Sequence, residues 1–364
     1  MVRLLLRIFL VVILLWGAFI VHWLSNVGEL SLTVLVWSVV QWIPMAKLAL
    51  PIQHRLWTVW GQQKGQEAMV LEVPTIQVRD NNIDLEGELV RRFGADWRLR
   101  PLLLKGLWND TELSSSNRRL SLQGLLKEDL EIPYFTDARA STTAALTPDS
   151  RGPISGIVSN ITQGHPHKIA SQWFLQTYPE LIEEVAPVNL LSNLFGNFFT
   201  AEKLRGSMFL PAFTTVPLFV AKPQKVSNET CGDKPPLTNL HCEPIGNVAV
   251  QLNGSKRWVL ISPEHTFRVQ PAAAPDGRAF FYSAATDYSH VPRYHVVTTA
   301  GDALWVPTWT WHRVDYVGDD DDNQIAIGAS LFHFRPISFL RNNPLLAGLL
   351  VPAILKELAG ISTQ

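Results

Sequence analysis

Cysteine is nearly absent. The 364-residue chain has two, Cys231 and Cys242. Two thiols cannot build a four-thiolate zinc site. They leave two alternatives open: one disulfide across a short loop in an oxidising compartment, or two free thiols. Charge is also scarce, at 17 % of residues, against about 25 % in an average soluble domain. The 31 basic and 32 acidic residues almost cancel, leaving a formal net charge of −1. Nucleic-acid binding rests on a basic excess, so this balance indicates no nucleic-acid partner. No internal repeat recurs.

Apolar residues are abundant, at 47 %, and there are 13 tryptophans. Residues 4–24 are apolar apart from Arg7 and His22. At about 1.5 Å per residue such a helix can cross a hydrocarbon core of roughly 30 Å. Arg3 and Arg7 hold its start on the cytosolic side. No small-x-small cleavage pattern follows, so residues 1–28 are expected to be an uncleaved transmembrane anchor. Residues 29–70 add a second apolar segment (30–50) and a polar stem. That segment is either a second span, making a hairpin with a cytosolic domain, or an interfacial helix. Sequons at Asn109, Asn160, Asn228 and Asn253 outnumber the roughly two expected by chance. They favour a single-pass glycoprotein with its domain in the secretory lumen.

The main folded region is expected over residues 74–335. A helix is predicted at Leu85–Phe93 and a buried strand within 100–108. Residues 120–130 read as a short helix, 140–153 as a mobile insertion, and 169–184 as a helix. After Met208 short strands alternate with turns, at 213–221, 247–252, 257–261, 303–307 and 325–332. Serial short strands imply a sandwich or barrel. Asn253-Gly254 reads as a two-residue hairpin turn joining two neighbouring strands. The acidic run 319–322 reads as a solvated loop. Residues 336–364 form an apolar helical tail that packs on the domain, pairs two copies as a homodimer, or touches membrane.

The chemistry concentrates in Thr238-Asn-Leu-His241-Cys-Glu243-Pro. Side chains alternate along a strand, so His241 and Glu243 share a face and Cys242 takes the other. A third ligand, His312, follows in Gly301-Asp-Ala-Leu-Trp-Val-Pro-Thr-Trp-Thr-Trp-His312. The pattern is a tight turn, a buried strand, a proline turn and a histidine opening the next strand. Two histidines and one carboxylate leave three open positions on an octahedral ion, the facial triad of non-heme Fe(II) oxygenases. His165 and His167 precede the barrel and read as surface residues; His290, His295 and His333 lack a carboxylate at strand spacing. Trp305, Trp309 and Trp311 read as barrel core and cavity wall.

Residues 238–263 resemble the core of the Jumonji-C and cupin-like (cupin-8 type) hydroxylases, and 301–314 resemble that family's second metal segment. Arg100–Trp108 adds a weaker likeness to its N-terminal strand. The resemblance implies a mainly β fold with flanking helices, a double-stranded β-helix (jelly roll, cupin). It implies Fe(II) and 2-oxoglutarate as cofactors. Lys256, fifteen residues after His241, takes the place of the lysine that pairs with the distal carboxylate of 2-oxoglutarate. Thr238 matches a hydroxyl on the same carboxylate, and Asn247 a polar residue close to the cosubstrate. Physically, a buried carboxylate needs a cation and a hydroxyl donor. Many hydroxylases of this group carry Asp where this chain has Glu243; other Jumonji members, histone demethylases among them, carry Glu. The implied activity is hydroxylation of a protein or peptide side chain, with N-methyl removal second. The alternatives are an inactive cupin scaffold and a non-redox metal cupin.

Overall fold

The computed structural model describes residues 2–27, 34, 68–78, 84–113, 115, 118–138, 148–195, 214–223, 238–273, 280–285, 287–318 and 325–358. The second apolar segment apart from Val34, the stem to residue 67, Asn228, Cys231 and the acidic run lie outside the described residues, as does most of 140–153.

The protein is mainly β, with two large sheets and flanking helices, an arrangement consistent with a cupin fold. One sheet of seven strands runs β1 (Val70–Glu72), β14 (Arg293–Thr298), β11 (Ser255–Ile261), β16 (Trp311–Val317), β9 (Thr238–Cys242), β13 (Phe281–Ser283) and β12 (Pro271–Ala273). The other, of eight, runs β2 (Thr75–Gln77), β3 (Leu102–Lys105), β15 (Ala303–Val306), β10 (Ile245–Asn253), β17 (Ala326–Phe334), β8 (Leu218–Ala221) and β6 (Lys168–Ser171), with β7 (Thr214–Thr215) on β17. β4 (Glu131–Tyr134) and β5 (Ser150–Pro153) pair separately, so the end of the expected insertion is a strand. From β14 to β17 successive strands alternate between the sheets, as do β9, β10 and β11.

That alternation corrects the expected hairpin at Asn253-Gly254. β10 pairs with β15 and β17, whereas β11 pairs with β14 and β16. Gly254, at φ 68°, turns the chain from one sheet into the other. The Asn253 side-chain amide secures the corner by donating to the Ile325 carbonyl at 2.6 Å.

Strand alternation sorts side chains into three layers. Ala249, Leu304, Val306, Trp258, Leu260, Val314, Tyr316 and Ala326 meet between the sheets. Val248, Val250 and Leu252 of β10 face outward onto a larger core. Helices cover that side. α2 (Leu85–Phe93) is capped by Asp84, whose carboxylate accepts from Gly87 N at 2.9 Å. α3 (Ile154–Thr162) buries Ile154, Ile157, Val158 and Ile161, an i, i+3, i+4, i+7 stripe worth about 1.5–3 kcal/mol per side chain. α4 (Val188–Phe195) adds Leu191, Leu194 and Phe195. Residues 169–184 divide into β6 and then short helical turns, because Lys168–Ser171 completes the sheet edge beside β8.

The outer face of the seven-stranded sheet carries the third layer. Val259, Ile261, Trp309 and Trp311 pack there with Phe339 of α5 (Pro336–Asn342) and Leu345, Leu346 and Leu350 of α6 (Pro344–Leu358). The tail therefore packs on its own domain. α1 (Val2–Asn26) joins this layer through Leu24, with Trp16, Ile20 and Trp23 partly buried beside it. Among the described residues no helix is long and apolar enough to cross a membrane. The expected transmembrane helix over 4–24 is thus not shown; side chains are described only from Val11 on, and the end of α1 is engaged with the tail.

Candidate metal centre

β9 and β16 lie antiparallel and bring His241 directly opposite His312. Their ring centroids are 4.1 Å apart. Glu243 follows β9, and its backbone carbonyl accepts from Trp309 N at 3.0 Å. Trp309 has φ 67°, an uncommon left-handed conformation for a bulky side chain. Its indole, fully buried, donates to the Phe339 carbonyl at 2.9 Å and holds that turn in place. The donor atoms of His241, Glu243 and His312 all lie within 4.8 Å of one another.

Both imidazoles are oriented by their own strands. His241 Nδ1 donates to the Asn239 carbonyl at 2.7 Å, and His312 Nδ1 to the Thr310 carbonyl at 3.0 Å. A carbonyl only accepts, so each Nδ1 carries the proton and each Nε2 keeps a lone pair. Burial pushes His312 down to about 4. His241 is held well below its ordinary value by burial, then by His312 and Lys168. Neutral, Nε2-presenting imidazoles beside a carboxylate are the donor set of a divalent-metal site, and their chemistry fits Fe(II). His312 is buried while His241 and Glu243 are half-buried, so the approach lies on the β9 side.

Thr238 precedes His241 by three, a spacing that places two residues on opposite faces of a regular strand. The β9–β16 register shifts between His312 and Val314, and Thr238 pairs with Val314. This irregularity returns Thr238 to the face of His241. Lys256 on β11 is buried in the same interior, with Nζ over the rings of Tyr316 (4.9 Å) and Phe219 (5.4 Å). It reaches across to the facing sheet because residue 328 is glycine: a Cβ there would lie 2.7 Å from Nζ. Burial first, then the charge of Lys168, lowers Lys256 to about 7. Asn247 is buried on β10 on the face of Ala249, with no hydrogen-bond partner for Oδ1.

The sequence reading missed Lys168. It is 3 % exposed, and its Nζ donates to Thr238 Oγ1 at 3.1 Å. Burial lowers it too, to about 7. Other expected residues sit elsewhere. Trp305 stacks on His333 and Phe195 outside the barrel, and Trp309 and Trp311 pack on the opposite outer face. None of the three lines the interior; Trp258 and Tyr316 do. Cys242 is free and buried on the outward face of β9, and burial raises its thiol well above the usual range. His165 and His167 stack on each other beside Tyr134.

Residues 170–333 match the family model of the cupin-like domain. Over that stretch, somewhat under half of its length, the chain is similar to a cupin-like domain. Such a domain fits an oxygenase or a cupin scaffold, and the family is commonly 2-oxoglutarate-dependent and typically binds Fe(II). A search of curated proteins found no match.

Proposed function

We propose that the protein is an Fe(II)- and 2-oxoglutarate-dependent oxygenase that hydroxylates a protein or peptide side chain. One observation carries this reading: a His-Glu-His donor set stands beside a barrel interior that holds the buried Lys256 and the half-buried Thr238. Iron bound there would couple oxidation of a substrate C–H bond by O₂ to conversion of 2-oxoglutarate into succinate and CO₂. His241, Glu243 and His312 hold the metal. Lys256 and Thr238 take the distal carboxylate of the cosubstrate, and Asn247 offers a polar contact beside it. Trp258 and Tyr316 narrow the interior and exclude water from the reacting atoms. Removal of an N-methyl group is the variant of this reaction that the glutamate ligand leaves open.

The test is succinate formation by the full-length protein supplied with Fe(II), ascorbate and 2-oxoglutarate, with His241→Ala as control. Succinate from the wild type alone supports the reading. Failure to bind 2-oxoglutarate as well as to turn it over leaves a cupin scaffold.

The exposed apolar side chains Val11, Val12, Ile13, Leu14, Leu15 and Phe19 on α1 support a membrane-associated N-terminus, and the four sequons favour a domain in the secretory lumen. Pelleting of the chain with membranes, and resistance to carbonate extraction, test that placement.

A further inference from the structure

The tail, the helical turn Pro263–Val269 and the second metal segment meet in the outer layer through hydrogen bonds as well as apolar contacts. The Asn342 amide donates to the Thr308 carbonyl at 3.2 Å. The Trp309 indole donates to the Phe339 carbonyl at 2.9 Å, and the Trp311 indole to Thr266 Oγ1 at 3.1 Å. Asn343 donates to the same Thr266 oxygen at 2.9 Å, while its own Oδ1 accepts from Leu346 N and caps α6. Thr266 gives its proton to the Pro263 carbonyl at 2.6 Å. A hydroxyl has one proton and two lone pairs, so all three are committed.

Thr266 and Asn343 are fully buried, each 0 % exposed. Burying polar groups costs free energy that their hydrogen bonds little more than return. What a satisfied network adds to an apolar layer is direction. Here the direction falls on one turn. Residues 308, 309 and 311 are held from outside. Between them the Thr310 carbonyl orients the His312 ring, and Trp309 N donates to the Glu243 carbonyl. Those are the two points at which the turn meets the metal ligands.

We infer that the C-terminal tail is a working part of the metal centre. Thr266 and Asn343 are positioning residues that act through Trp309 and Trp311 to set Glu243 and His312 for a divalent ion. This rests on the metal reading of the His-Glu-His set and not on the cosubstrate.

The experiment titrates the full-length, metal-free protein with Co(II) alone. It reads affinity and the visible d–d spectrum, with melting of the metal-free form alongside. In Thr266→Val both donors lose their acceptor. Co(II) affinity is expected to fall by about 10- to 100-fold, the range for an outer partner of a metal ligand, and the spectrum to shift. Thr266→Ser restores the hydroxyl and should recover both. Trp309→Phe keeps an aromatic ring and loses one donor; it should show the same loss and serves if Thr266→Val fails to fold. Ile157→Ala truncates the core behind the other sheet and should melt earlier with wild-type affinity and spectrum. Wild-type affinity and spectrum in Thr266→Val and Trp309→Phe, at whatever melting temperature, overturn the assignment and leave the metal site standing. An equal fall in Ile157→Ala makes the effect general loosening and also overturns it. No Co(II) binding by the wild type removes the metal reading itself, and the assignment with it.

Discussion

His241 and His312 each commit Nδ1 to a carbonyl two residues upstream, so the metal-facing nitrogen is set by backbone rather than by a distant partner. His312→Ala removes a ligand without touching the fold's outer layers. It should weaken Fe(II) affinity by more than about 100-fold, beyond the usual cost of losing an outer-shell partner, as read by metal titration. The two lysines make a pH prediction. Each titrates near 7 in the fold against an ordinary 10.5. Between those values the unfolded chain binds more protons than the native one. Their contribution is therefore fully present above 10.5 and is lost as pH falls through about 7. Melting of the metal-free protein should rise with pH across this window, and Lys256→Met should flatten the rise. On the oxygenase reading, 2-oxoglutarate binding should run the other way, weakening as alkaline pH discharges the Lys256 ammonium. The pairing of His241 with Glu243 was legible because two-residue spacing on a strand needs no tertiary knowledge, whereas His312 was read from the turn, strand and proline pattern of 301–312 and its resemblance to a known metal segment. Lys168 was not legible: a lysine in a four-residue edge strand, amid apolar residues at helical spacing, reads as a solvated side chain.

At the level of elements, the interior depends on two local irregularities. The register shift of β9 aligns Thr238 with His241, and a three-residue spacing alone would have argued the opposite. The corner at Gly254 sends β11 into the other sheet, where sequence pattern predicted a hairpin; a tight turn looks the same in sequence whether the strands pair or part. Leu85–Phe93 was legible in full, since its cap, charges and apolar spacing all agree. The opening at residue 328 yields a further prediction. In Gly328→Ala the new Cβ would come within 2.7 Å of Lys256 Nζ and 2.8 Å of the Val250 carbonyl. Crowding of this kind should cost about 1–3 kcal/mol in denaturant unfolding. 2-Oxoglutarate affinity should fall with it, because Lys256 must move.

For the whole molecule, the three layers assign separate tasks: a helix-backed sheet for rigidity, an interior for chemistry, and an outer apolar face that gathers α1, α5 and α6. If the domain is luminal, the described sequons should differ in use. Asn109 is exposed, Asn160 is half-buried in α3, and the Asn253 amide is engaged with the Ile325 carbonyl. Glycosidase treatment should shift the wild type, and Asn109→Gln should reduce that shift while Asn253→Gln leaves it unchanged. No shift at all would place the domain elsewhere. Removal of residues 1–27 should uncover Leu345, Leu346 and Leu350. An increase in binding of a hydrophobic dye, with a lower melting temperature, would register that exposure.

The packing of Leu24 against α6 also has a meaning in time. The two partners are separated by some three hundred residues of synthesis. At about 5–20 residues per second, α1 waits roughly 15–60 s for the surface that covers it. During that interval the face of α1 that meets the tail lacks its cover, so α1 takes its final place only after the tail has been made.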